Sequence, residues 1–92
     1  MPDVRHEPAA HRFAAEVEGG VAELAYERRD DAVAFVHTFV PPASRGGGVG
    51  ESLVEAGLAW ARDEGVRVIP ACPFVLAYVE EHPDAADGLL DG

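Results

Sequence analysis

The sequence predicts an α+β domain, and three observations predict it. Apolar residues recur at period two through the first half, in runs separated by short turns. A run at helical period follows from Glu51 to Glu64. A short apolar strand and a second helical run come after it. At 92 residues the chain makes one domain around one core, taken as residues 1–92, with residues 1–10 and 85–92 expected to be flexible.

The elements follow in order. His11 to Glu18 alternates weakly, with Phe13, Ala15 and Val17 on one face. Gly19-Gly20 is a two-residue hairpin signal. The return strand, Val21 to Arg28, carries Ala22, Leu24 and Tyr26 on one face and Glu23 and Glu27 on the other. After the polar turn Arg29-Asp30-Asp31, a long apolar strand runs from Ala32 to Val40, with Val33, Phe35, His37 and Phe39 expected on one side. Pro41-Pro42 ends it, because proline cannot donate to the ladder. These strands make an antiparallel meander. The helix from Glu51 to Glu64 presents Leu53, Val54, Gly57, Leu58 and Ala61 to the sheet and stops at Gly65. Val66 to Pro70 is a strand that a right-handed crossover places parallel to Ala32–Val40. Pro73 opens a second helix, Phe74 to His82, which His82-Pro83 ends. The expected order is β-β-β-α-β-α, with the helices packed on the sheet.

Composition excludes several functions. Seventeen acids against seven arginines, with no lysine, give a net charge of -10. That field repels nucleic acid and anionic lipid, so neither is expected as a partner, whereas a cationic amine is attracted. A polyanionic ligand needs concentrated local donors or screening salt. The one cysteine, Cys72, cannot form an intramolecular disulfide, and no secretory or membrane-length apolar run is present, so the chain reads as cytoplasmic. Four scattered histidines and one cysteine give no metal-ligand spacing.

The most informative segment is Arg45-Gly46-Gly47-Gly48-Val49-Gly50, between the long strand and the first helix. A glycine-dense turn opening a helix presents bare N–H groups at the positive end of a helix dipole, which suits phosphate. The P-loop needs a lysine that this chain lacks. The dinucleotide fingerprint needs a third glycine where Glu51 stands, and a parallel βαβ start where this chain has a meander. A third pattern, [QR]-x-x-G-x-[GA], is matched by Arg45-x-x-Gly48-x-Gly50.

On this loop, together with His37-Thr38, Val40-Pro41, the run Val68-Ile69-Pro70 to Cys72-Pro73-Phe74-Val75, Tyr78 and His82-Pro83, the chain resembles the Gcn5-related N-acetyltransferase superfamily and its very small, stand-alone members. The resemblance covers most of residues 12 to 84. It implies a minimal version of that fold and a wedge, opening between the strands that end at Val40 and Pro70, that takes acetyl-coenzyme A. The pantetheine arm would pair with backbone near Phe39 and Val40. The pyrophosphate would sit on Gly46, Gly47, Gly48, Val49 and Gly50, with Arg45 holding it or closing the loop. The elements that complete the acceptor site in full-length relatives are missing, so that side is open or is completed by a second subunit; monomer and homodimer both fit.

Three side chains are candidates for chemistry. Cys72 stands at the N-cap of the second helix, a position that favours thiolate, and packs there as a small hydrophobe on the simpler reading. In the resembling family a cysteine here has been considered an acetyl-accepting nucleophile, although the superfamily usually works by direct amine attack. His37 is a core residue or a general base. Tyr78 is a core residue or, by resemblance, the acid that protonates the leaving thiolate. Phe39 departs from the family pattern, where glutamate is common, and so removes one candidate base. Trp60 is expected to pack against a hydrophobic edge. The expected function is transfer of acetyl from acetyl-coenzyme A to a small-molecule or peptide amine. The alternative is a coenzyme-binding or interaction module without turnover.

Overall fold

The structure is a computed structural model that describes residues 3–90. It contains a mixed five-stranded sheet and two α-helices, the α+β architecture read from the sequence with one strand added. The strands are β1 (Arg5–Glu7), β2 (Arg12–Val17), β3 (Gly20–Arg29), β4 (Ala32–Phe39) and β5 (Arg67–Ile69). The helices are α1 (Val49–Glu64) and α2 (Pro73–Glu81). The sheet order is the chain order; β1 to β4 are antiparallel and β5 joins β4 in parallel. No described helix is long and apolar enough to cross a membrane.

The cross-strand register sorts the sheet into two faces. Phe13, Ala15, Ala22, Leu24, Tyr26, Val33, Phe35 and Val68 share one face and are all buried. Against them α1 lays Leu53, Val54, Leu58 and Ala61, and α2 adds Val75, Tyr78 and Val79 to the same core. Gly57 lets α1 come close: a Cβ built there would stand 2.9 Å from Phe35 Cζ and 3.1 Å from Leu24 Cδ2. The other face is charged, with Arg12 bridging Glu7 at 2.6 Å and Glu23 at 2.8 Å. The shortest dimension is 19 Å, about two layers.

Both ends depart from expectation. The polar lead-in is not loose where it is described: Arg5–Glu7 adds an edge strand to β2, and its His6 meets an aromatic group of Phe13, Tyr26 and Trp60. The tail also docks. Leu89 is buried, Val68 N–H donates to its carbonyl at 2.8 Å, and Arg62 donates to the carbonyls of Ala85 and Asp87. Residues 85–90 were expected to fray as a chain end, with Leu89 and Leu90 the residues that could dock; buried Ala86 and Leu89 anchor the segment beside β5. Residues 1, 2, 91 and 92 lie outside the described residues.

One irregularity resets the middle of the sheet. Tyr26 pairs with Phe35, but its neighbour Ala25 pairs with His37, so Val36 is an extra residue on β4. A bulge of this kind flips the alternation beyond it. Thr38, opposite Leu24, returns to the inner face that carries Phe35, and His37 and Phe39 turn to the charged face. His37 therefore does not share a side with Phe35, as strict period two had required, and it is exposed.

Candidate functional site

Beyond the bulge β4 loses its neighbour on one side. β5 pairs with Ala32, Val33 and Ala34 only. The chain then touches β4 once more, where Cys72 N–H donates to the Phe35 carbonyl at 2.8 Å, and turns into α2. From Val36 to Phe39, β4 runs on with β3 on one side and no described strand on the other. This is the splay expected from the sequence. Into it opens a pocket of about 440 Å³, lined by Thr38, Phe39, Val40, the turn from Ser44 to Glu51 except Gly47, and Phe74. Phe39 and Phe74 remain 41% and 38% exposed, so the pocket has an apolar wall facing solvent.

The glycine turn closes the far end. Gly46 and Gly48 have φ of 83° and 86°, the left-handed region where a side chain is strained, and Gly48 is the N-cap of α1. Among the described residues none of the amides from Gly46 to Glu51 donates to a backbone carbonyl. The first amides of any helix are unsatisfied, and here the turn before them adds more. Arg45 bends back, its Nε donating to the Val40 carbonyl at 2.9 Å, and so closes the loop. Ser44 ties the loop to the β2–β3 hairpin through the Glu18 carbonyl at 2.8 Å. Gly50 has a packing reason: a Cβ there would lie 2.7 Å from Phe74 Cζ, so the bare backbone lets that ring rest on the helix end. Glu51 also lines the pocket and puts one acid in the first turn of α1.

Cys72 is buried at the N-cap of α2, with its Sγ 3.4 Å from Thr38 Oγ1. Burial pushes the thiol up; the Thr38 hydroxyl and the amides of Val75, Phe74 and Thr38 pull it down, and the balance lies below the ordinary thiol value of 9.0. The amides act on the sulfur although none makes a full capping bond. Thr38→Val is expected to shift the pH profile of Cys72 alkylation upward, because burial is then opposed by the amides alone, and Thr38→Ser is expected to restore it. Identical profiles in all three proteins would show that the hydroxyl does not tune the thiol.

The structure brings Phe39, Val40, Arg45, Gly46, Gly48, Val49 and Gly50 to one pocket, leaves Gly47 outside its lining, and sets Cys72 against its wall through Thr38. It does not bring His37 or Tyr78 there. His37 leaves β4 from the face opposite Thr38. The Tyr78 hydroxyl donates to Glu55 Oε2 at 3.1 Å, its ring packs on His82, and it lines a separate cavity of about 80 Å³ beyond Phe74. Burial first, then Glu55 and Glu51, push the Tyr78 phenol up. Sequence reasoning does not single out Thr38, Ser44, Glu51 or Phe74 as pocket residues. The bulge hides Thr38 from any reading by alternation, whereas Phe74 could have been found as the residue just inside the helix that Cys72 caps.

Fold and site define a class: a small α+β domain with a glycine turn at a helix start beside a strand edge that no described strand covers. A profile of the family described as GCN5-related N-acetyl-transferase matches residues 12–88, and the chain belongs to that family. Its fold is similar to that of a GCN5-like protein from Staphylococcus aureus solved by NMR, with a TM-score of 0.73, 20% identity, and 98% of this chain and 88% of that chain covered. A search of curated proteins returned no significant match.

Proposed function

We propose that this domain transfers acetyl from acetyl-coenzyme A to an amine. The observation that carries the reading is the continuity of the pocket. A strand edge without a neighbour leads directly into a turn whose amides have no backbone partner. The two parts suit a ligand with an amide-bearing arm and a diphosphate, which is the chemistry of coenzyme A. The edge from Val36 to Phe39 pairs with the arm, the Gly46–Gly50 amides hold the diphosphate, and Phe39, Val40 and Phe74 shield the arm from water. Backbone N–H near Val40 polarises the thioester carbonyl, and the amine attacks it directly or after transfer to Cys72. The acidic surface favours a cationic acceptor. Titration calorimetry with acetyl-coenzyme A at several salt concentrations tests the reading: saturable binding supports it, and no binding even where salt screens the acidic field removes it.

A second reading, coenzyme binding without turnover, is favoured by Phe39 in place of a carboxylate and by the Tyr78 hydroxyl already bonded to Glu55. Assay of acetyl transfer to a panel of amines and peptides separates the two, since tight binding with no transfer to any acceptor selects the module.

Glu51 gives a further expectation. It stands in the first turn of α1 and lines the pocket proposed to hold the diphosphate. At partly exposed distances such a repulsion is worth about 1 kcal/mol, or roughly fivefold in affinity. Glu51→Gln is expected to tighten acetyl-coenzyme A binding by about that factor, most clearly at low salt. An unchanged Kd in the variant would place the diphosphate elsewhere.

A further inference from the structure

β1 is three residues long, lies on the sheet edge and pairs with β2 alone. So short an edge strand holds weakly by its ladder, and its side chains decide whether it stays. Arg5 and Glu7 point to the charged face, in exposed or half-exposed ion pairs that contribute little. His6 points inward, opposite Phe13. Its ring stacks on Phe13 with centroids 4.4 Å apart and planes 10° apart, and meets Trp60 at 4.9 Å. Its Nε2 is 2.6 Å from the Tyr26 hydroxyl.

The charged and titratable surroundings come from three sides. From β3, Tyr26 bonds the ring and the Arg28 guanidinium lies 5.4 Å above the Trp60 ring. From the turn before β2, His11 stacks on Tyr26 at 5.9 Å. From α1, Glu64 acts on His6 electrostatically. Tyr26 is almost fully buried, and burial pushes its phenol up, so it stays protonated; the direction of its bond to His6 follows the imidazole tautomer, and in the neutral ring with its proton on Nδ1 the Tyr26 O–H donates to Nε2.

Proton uptake by His6 removes that acceptor. Tyr26 must then accept, and its own proton has no described partner. The new cation lies under an aromatic cover near Arg28. Glu64 and the ring faces favour it, but burial opposes it more strongly and holds His6 below its ordinary 6.5. We propose that β1 is an acid-released latch, in which protonation of His6 places a cation under the aromatic cover, reverses its bond to Tyr26 so that the tyrosine proton loses its acceptor, frees the strand and uncovers the β2 edge with the Phe13–Tyr26–Trp60 surface. A histidine held low in the folded state stabilises the closed strand fully above 6.5 and loses that contribution as pH falls through 6.5 toward the lower folded value.

Trp60 is the chain's one tryptophan and reports on the latch directly. Between about pH 8 and about pH 5 its emission is expected to change in one step centred below about 6.5, with amide exchange at Arg5–Glu7 at least ~10-fold faster at the acid end after correction for intrinsic rates. Exchange in α1 and β4 is expected to stay unchanged. His6→Phe keeps the stacking and is expected to abolish the step. Tyr26→Phe removes the donor to the neutral ring and is expected to move the midpoint upward. A step that persists in His6→Phe, a midpoint that Tyr26→Phe leaves in place, or β1 exchange that is flat across the range would overturn the proposal.

Discussion

Gly48→Glu is expected to weaken acetyl-coenzyme A binding by at least ~30-fold while leaving the domain folded. Two effects add. Gly48 sits at φ 86°, where an L side chain costs roughly 1–2 kcal/mol. A new carboxylate at the α1 N-cap would also face the diphosphate in its proposed position, at a further cost of about 1–4 kcal/mol. Together they predict a loss of at least ~30-fold in affinity. No heavy atom lies within 4 Å of a Cβ built at this position, so the effect is strain and charge, not collision. Gly48→Ala carries the strain alone and should lose less, which apportions the two effects by calorimetry. Wild-type affinity in the glutamate variant would refute the placement of the diphosphate on this turn, whatever the fate of the rest of the proposal.

Gly57→Leu is expected to be the most destabilising single change in the helix–sheet interface. Even its Cβ would approach Phe35 Cζ at 2.9 Å, Phe35 Cε1 at 3.0 Å and Leu24 Cδ2 at 3.1 Å. Phe35 and Leu24 are both fully buried, so neither ring nor methyl has room to withdraw. Overpacking of this kind costs about 1–3 kcal/mol and more when backbone must move. At about 4–8 °C per kcal/mol for a domain of this size, the melting temperature should fall by roughly 10–20 °C. Gly57→Ala is the informative companion, because the helix gains about 1 kcal/mol from losing glycine while the same contacts oppose it. Its melting temperature should change little. A leucine variant as stable as the parent would mean that α1 does not lie on Phe35. The consequence reaches the pocket, since the same helix carries Val49, Gly50 and Glu51 at its other end.

How much of this was legible before folding differs from element to element. α1 was legible because its apolar stripe, Gly65 stop and glycine start are local signals; its observed start at Val49 falls two residues before the expected Glu51. β5 was legible from a short apolar run after a helix stop, and Cys72 at the α2 N-cap followed from the proline after it. The glycine turn was legible as a tight left-handed turn opening a helix because its φ angles and free helix-start amides are properties of the turn itself. β1 was missed, since Arg5-His6-Glu7 has no apolar alternation and is held in place by contacts with Phe13, Tyr26 and Trp60. His37 was set on the wrong side of β4 because a bulge leaves no mark in a run where every residue is compatible with a strand.

The sequence by itself determined the α+β order from β2 onward, the parallel return of β5, the stop of α1 at Gly65 and the left-handed glycine turn that opens α1. Those depend on periodicity, proline and glycine, whose effects act within a few residues. Only the tertiary structure decided which face His37 and Thr38 occupy, that Arg45 folds back onto Val40, that Phe74 rests on Gly50, and that Tyr78 is bound to Glu55 instead of facing the pocket. Each of these joins residues distant in space or flipped by one inserted position. Packing and cross-strand register choose among locally equivalent arrangements, and no short window of sequence carries that choice.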